Sequence, residues 1–486
     1  MKNGWLAAVA LAALWGLGPA LPAVLEGGLI GQPFTDLYPA VWGMWSWPSG
    51  GDWLGWPDGI DFYYASPLKA ALAWPIKELV GLTMTWNSLC VLARMATVLC
   101  AFGAARAWGF SSIGALTAAA AYGCSPFFQG YAVEGITEGV DGWALALWAW
   151  AAGARRPLLA AVGLALAVLS SWYLGAAACL LAVLAGLRDR RHLLALLGLL
   201  PIAPALWSFL GAQGTGAPLA PEIRAAMGAS LQIPTPGITE GLNPFAINAY
   251  IGLSLGLAAL LSRSRYLLAA LAPMILSLGI GPLYELPLLE AMRFPYRWHA
   301  ATLALLAAAA ATTADARGWR WLAPLIVVEG LLLSPIEPVL PSAPAAVPAI
   351  YAAVDGPIVE IPGPVSRPPG EINRSRPRSR YVLYYQTAHR QPSPWRPDLN
   401  GLGETEQAEW LYPLRTWDPV EGLGEPAALT PAVIAALRDA GVHLVMIHRR
   451  ELGSRGPELV AALEAVGAVR VGEDGERWLL WVGEAR

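Results

Sequence analysis

Apolar runs of about twenty residues, broken by short polar stretches, set the pattern of this chain. They fall near 4–25, 85–108, 111–127, 139–154, 157–172, 173–188, 192–211, 246–262, 266–281, 298–314 and 319–336. A helix that crosses a bilayer needs about 20 mostly apolar residues, so the pattern predicts about eleven spans. Residues 67–83 break the rhythm with Lys69, Pro75, Lys77 and Glu78. They read as an amphipathic helix on the membrane surface. The first run exceeds the roughly 7–15 residues of a signal-peptide core and reads as an uncleaved helix.

Placing the arginines orients the spans. With Lys2 in the cytoplasm, Arg106, Arg155-Arg156, the Arg188–Arg191 run, Arg263, Arg265, Arg317 and Arg320 all fall on the cytoplasmic side, as the positive-inside rule requires. The longer loops, 26–84, 127–140, 211–245 and 282–297, then face outward, together with everything after residue 337.

The composition changes near 337. Pro335, Pro338, Pro341, Pro344 and Pro348 mark a linker over 337–356. The expected organisation is a membrane module over 1–336 with a large outer loop at 26–84, then the linker, then a soluble domain over 357–486. In that tail, 358–361, 381–385, 443–447 and 478–482 read as strands, and 430–440 and 457–466 as helices. The fold class is therefore a polytopic α-helical membrane protein with a small C-terminal extracytoplasmic α/β domain.

Composition agrees with a membrane reading. The 486 residues are 56% hydrophobic and 14% charged, against about 25% charged in ordinary soluble domains. The 23 Trp suit a protein with many membrane–water boundaries. The four cysteines, all in apolar stretches, show neither metal-ligand spacing nor a disulfide framework. No Gly-rich phosphate loop, nucleophile elbow or zinc signature is present in the tail, and no nucleic-acid partner is expected.

Candidate chemistry gathers in the outward loops. Arg293 and Arg297 flank Pro295 amid Phe294, Tyr296 and Trp298. The planar guanidinium matches phosphate oxygens, so a lipid phosphate at the bilayer surface is one partner; headgroup contact or pairing with Glu285 or Glu290 is the alternative. Asp36 follows the first span and reads either as a general base or cation ligand or as a helix cap. Glu134 and Glu138 stand four apart and would share one helix face, to bind a metal or acceptor or to cap the next span. Asp52, Asp58 and Asp61 alternate with Trp53, Trp56, Phe62, Tyr63 and Tyr64, a mixture that suits a sugar or an interface. Arg94 lies within a span, where a charge is functional or structurally paired. His299 reads as structural.

These features resemble the GT-C superfamily of polytopic glycosyltransferases, in style the uncharacterised bacterial members and the YfhO-like type. Asp36 early in the first outer loop, the run of spans, Arg293-Phe294-Pro295-Tyr296-Arg297 and the outer C-terminal domain carry the resemblance. Ile358–Pro362 and Tyr384–Arg390 with Asn400-Gly401 resemble the tails of such proteins. The resemblance implies a bacterial inner-membrane enzyme working at its outer face, with a polyprenyl-phosphate-linked sugar as donor and an envelope glycan, lipid or protein as acceptor. It casts Asp36 as catalytic base or metal ligand and Arg293 and Arg297 as the donor-phosphate clamp, with Glu134, Glu138 and Asp61 as substrate or metal candidates. The cofactor is none or a divalent cation, Mg or Mn. The chain departs from the oligosaccharyltransferase subgroup in lacking a Trp-Trp-Asp motif, and Leu37 replaces a second acid after Asp36. These readings expect Asp36 and the arginines to open on one outer cavity. A flippase or transporter of lipid-linked glycans and a non-catalytic envelope assembly protein are the rival readings.

Overall fold

The computed structural model describes residues 2–33, 35–60, 64, 66–207, 250–286, 289, 294–364, 380–397, 407–419 and 423–483. By contact the chain divides into two compact units. The first comprises Met1–Gln32, Ala65–Gln213 and Pro218–Pro344; the second comprises Pro33–Tyr64, Gly214–Ala217 and Ala345–Arg486. Part of the loop read as 26–84 thus belongs with the tail.

The first unit is helical. Among the described residues, Leu82–Ala107 is the one helix both long and apolar enough to cross a membrane by itself, with 26 residues. Shorter apolar helices include Gly4–Leu17, Pro157–Ser170, Trp172–Gly186, Leu253–Ser262, Arg265–Ser277 and Leu322–Leu333. The segment read as a surface helix is helical over Pro67–Val80. Small residues set the packing. A Cβ on Gly103 would meet the Trp150 ring at 2.6 Å, and one on Gly163 would meet the Trp148 backbone at 2.9 Å. Such small residues let helix backbones approach closely.

A two-residue antiparallel ladder closes this unit: β1 (Leu29–Ile30) pairs with β2 (Ser342–Ala343). Asn87 holds β1 in place, accepting from the Ile30 N–H and donating to the Gly28 carbonyl. The indole of Trp86 donates to the Ile30 carbonyl. Part of the Pro-rich stretch is therefore paired backbone, because the prolines leave Ser342 and Ala343 free to make a ladder.

The second unit holds a four-stranded sheet of order β3-β4-β6-β5, with β3 (Ile358–Ile361), β4 (Leu444–His448), β5 (Val469–Glu473) and β6 (Arg477–Trp481). β3 and β4 are parallel, and the other pairs antiparallel. Alternating side chains feed two cores. Val359, Ile361, Val445, Ile447 and Leu480 pack with Leu437 and Leu459 from the helices Pro431–Asp439 and Arg455–Ala465. Ile358, Leu444, Met446 and Leu479 pack with Tyr351 and Val354 on the other face. Residues 381–385, expected as a strand, lie in the helix Arg380–His389. Their aromatic, β-branched character suits a strand, but here they pack on a second helix, Leu37–Ser46. Tyr38 meets Tyr384 at 5.4 Å between ring centroids, and the Trp42 indole donates to Gln386 Oε1 at 2.6 Å.

Candidate functional site

The sequence sets up Arg297 through Pro295. Phe294 is non-helical (φ −112°, ψ 89°), and a 3-10 turn over Pro295–Trp298 runs into the helix His299–Arg317. No continuous helix passes through the cluster, as the proline suggests. The turn buries Arg297 to 7% exposure. Its guanidinium carbon lies 4.1 Å from the centroid of Tyr173, 4.6 Å from Phe294 and 5.7 Å from Tyr296, and its Nε donates to Tyr296 Oη at 3.3 Å. Aromatic walls orient the planar cation while leaving its in-plane donors directed. Glu285 is exposed and forms no ion pair among the described residues, so it does not neutralise Arg297. Arg293 and Glu290 lie outside the described residues.

Behind Arg297 runs a crevice of about 10 Å³ lined by Tyr131, Gly139, Tyr173 and Arg297 among others. That is room for about one water, so a sugar phosphate enters only if side chains part. Tyr131 stacks with Tyr296 at 6.2 Å. Gly139 is required against it: a Cβ there would stand 1.9 Å from the Tyr131 ring.

The acidic loop departs from the expected arrangement. Glu134 is buried at the end of the helix Pro126–Glu134, and Gly135, left-handed at φ 66°, stops that helix. Glu138 belongs to a separate short helix, Thr137–Val140, so the two carboxylates do not share one helix face; the side chain of Glu138 lies outside the described residues. The acid that the structure does place is Asp141. Its carboxylate lies 3.3 Å from Lys69 Nζ, both side chains almost fully buried. Lys69 also donates to the Thr137 carbonyl at 2.8 Å, and Asp141 accepts from the Trp143 indole at 3.1 Å. The pairing escapes the sequence because it joins residues 72 positions apart; a lysine followed directly by the apolar run Ala70–Trp74 is the signal that points to it.

Arg94 is structural. One of its terminal nitrogens donates to the Trp15 carbonyl and to Gln129 Oε1, each at 2.8 Å, and Gln129 donates onward to the carbonyls of Glu337 and Pro338. One carbonyl and one amide oxygen, rather than a carboxylate, accept from that nitrogen. His299 is fully buried, edge-on to Phe127 at 5.1 Å.

In the second unit Asp36 stands at the N-terminal boundary of Leu37–Ser46, but its side chain makes no capping hydrogen bond. The cap reading fails, and Asp36 remains a candidate base. The aromatic–carboxylate mixture after it resolves mostly into packing. Leu54 and Trp42 form a small core with Trp45 and Trp53 beside them. The Trp56 indole donates to the Ala440 carbonyl, and Tyr64 Oη to that of Ala40. Asp58 pairs with Arg396 at 3.2 Å on the surface. Asp61 lies outside the described residues.

The tail adds a buried hub. Glu360 Oε2 accepts from Tyr351 Oη at 2.6 Å and meets His448 Nε2 at 2.7 Å. His389 stacks on Tyr351 at 5.5 Å. Burial pulls the His389 imidazole down to about 4, against an upward pull from Glu360. Burial, then the Glu360 charge, holds the Tyr351 phenol well above its ordinary range. Among the described residues no three His, Cys, Asp or Glu side chains gather as metal ligands, and Asp141 is engaged by Lys69.

No family model matches the chain, and no curated protein matches it in sequence. Solved structures do. The arabinofuranosyltransferase AftD from Mycobacteria is similar with a TM-score of 0.61 and 15% identity, over 100% of this chain and 40% of that one. Two structures of a substituted AftD follow at TM-scores of 0.60 and 0.53, with 15% and 17% identity, over 100% of this chain and 42% of that chain. This chain therefore spans about 40% of the length of that enzyme. The chain shares its fold with that arabinofuranosyltransferase.

Proposed function

We propose that this protein is a membrane glycosyltransferase that moves a sugar from a polyprenyl-phosphate-linked donor to an envelope acceptor, in a bacterial inner membrane crossed about eleven times, with its C-terminal unit outside. The observation that carries the reading is Arg297, buried and gripped by Tyr173 and Phe294 at the start of an apolar helix, within a fold shared with a glycosyltransferase. Fold alone does not imply function; a desolvated arginine with aromatic walls is the chemistry that a phosphate leaving group needs.

In the proposed step Asp36 removes the proton of an acceptor hydroxyl. The oxygen attacks the anomeric carbon, and the bond from that carbon to the lipid phosphate oxygen breaks, its electron pair leaving with the phosphate. The anomeric centre inverts. Arg297, with Arg293, stabilises the charge that grows on the phosphate, a contribution of about 3–4 kcal/mol for a well-placed donor. Glu134 is a candidate to position the acceptor.

Transfer from a radiolabelled polyprenyl-phosphate sugar in membranes tests both assignments. Arg297→Gln should lower turnover by about 10²-fold or more, with Arg297→Lys recovering little because lysine offers no planar fork. Wild-type turnover by Asp36→Asn would remove Asp36 from the mechanism. Binding of the donor with no transfer to any acceptor by the unaltered protein would favour a carrier of lipid-linked sugars.

A further inference from the structure

The helical unit contains a second, larger space that the proposed chemistry does not use. It measures about 580 Å³, within the roughly 300–1,000 Å³ of ligand pockets. Its body is walled by alanines and leucines of six helices, among them Ala104, Ala118, Ala149, Leu181, Ala269 and Ala308. Trp148 also lines it, and the buried indole N–H of Trp148 has no partner among the described residues.

Its rim is cationic. Arg155, Arg188 and Arg265 line the mouth and are exposed, and none forms an ion pair among the described residues. Backbone shape presents Arg155, which follows the helix Gly142–Gly153 in the left-handed region at φ 57°. Arg265 leans on the Tyr266 ring at 5.2 Å. The one carboxylate on the rim, Asp189, accepts from the Arg191 N–H at 3.1 Å and begins the next helical turn. His192 stacks on Trp108 at 5.4 Å. The rim thus carries three cations against one engaged carboxylate. It lies at the end of the unit that the arginine distribution assigns to the cytoplasm, the leaflet face where anionic lipids concentrate.

We propose that this cavity binds one anionic glycerophospholipid, with an acyl chain in the alanine-walled body and the headgroup phosphate on Arg155, Arg188 and Arg265. Charge complementarity argues for the occupant. An apolar chain alone would not need three exposed arginines around its entry, and a free phosphate would not need the apolar body. The site is separate from the Arg297 crevice, which lies at the start of His299–Arg317, whereas the cavity meets that helix at Ala304–Ala308.

The test uses the full-length protein in detergent, delipidated and then titrated with phosphatidylglycerol, phosphatidylcholine of the same chains, or inorganic phosphate. Thermal unfolding and native mass spectrometry are the readouts. Phosphatidylglycerol should raise the midpoint and appear as one bound lipid; the other two should not. In Arg155→Gln/Arg188→Gln/Arg265→Gln the affinity for phosphatidylglycerol should fall by about tenfold or more. These side chains are exposed, so the fold should survive, as Trp fluorescence will report. Ala308→Phe, which fills the cavity and keeps the arginines, should also abolish one-to-one binding. Equal stabilisation by phosphatidylcholine or by inorganic phosphate would overturn the proposal. So would undiminished binding in either variant.

Discussion

At the scale of single residues, the most consequential pair in the helical unit is Lys69 with Asp141, 2% and 5% exposed. Removing one partner of a buried ion pair strands the other charge and costs about 3–5 kcal/mol, whereas replacing both by apolar residues is often neutral. Lys69→Met should therefore sharply lower the thermal midpoint in detergent, and Lys69→Met/Asp141→Leu should recover most of the loss. An additive double variant would show that the charges act independently. This pair also marks a limit of reading a chain linearly. Lys69 was visible in the sequence, but a charge's partner is set by tertiary approach. Arg94 makes the same point: its place inside a long apolar helix was legible, while its partners, the Trp15 carbonyl and the Gln129 amide, were not.

At the scale of elements, continuous apolar runs located most helices, and local turn chemistry misled where it was overlooked. The spacing of Glu134 and Glu138 promised a shared face, yet Gly135 adopts φ 66° and ends the helix between them. A glycine just past a periodic run is the usual stop signal. The tyrosine-rich 381–385 segment went the other way, because packing against Leu37–Ser46 overrode its strand character. β5 was missed because it is an edge strand, with Val469 and Val471 more than half exposed, and so lacks a buried face to betray it. The element break at Gly135 brings Gly139 beneath Tyr131, which yields a sharp expectation. Gly139→Ala should displace the Tyr131 ring and destabilise the protein by about 1–3 kcal/mol, the range for overpacking, as measured by denaturation in detergent. Adding Tyr131→Ala should relieve that clash; a single Gly139→Ala variant with unchanged stability would refute the contact.

At the scale of the whole molecule, hydropathy made the helical class of the first unit legible, while the tail's hub was not, since its members span residues 351–448. The hub makes the protein's stability depend on pH. Unfolded, His389 takes up a proton near 6.5, but burial holds the folded residue near about 4. Between those values the unfolded chain binds the extra proton. The stability that neutral His389 contributes is thus complete above about 6.5 and is lost as pH falls toward 4, about 3 kcal/mol in all. Urea midpoints of the full chain should fall over that window, and His389→Gln should flatten the slope relative to wild type. Equal slopes would remove His389 as the cause.

The ladder between β1 and β2 has a bearing on how the protein is made. Leu29 and Ala343, partners in its register, are 314 positions apart, so a ribosome must deliver nearly the entire helical unit before the seam can zip. Until then the Asn87 amide and the Trp86 indole, both inside the first long helix, grip one strand that still lacks its mate. A nascent chain arrested before residue 342 should therefore remain open to protease near Gly28, and release of a few more residues should shut that site, making the closing of this seam a timestamp for completed insertion.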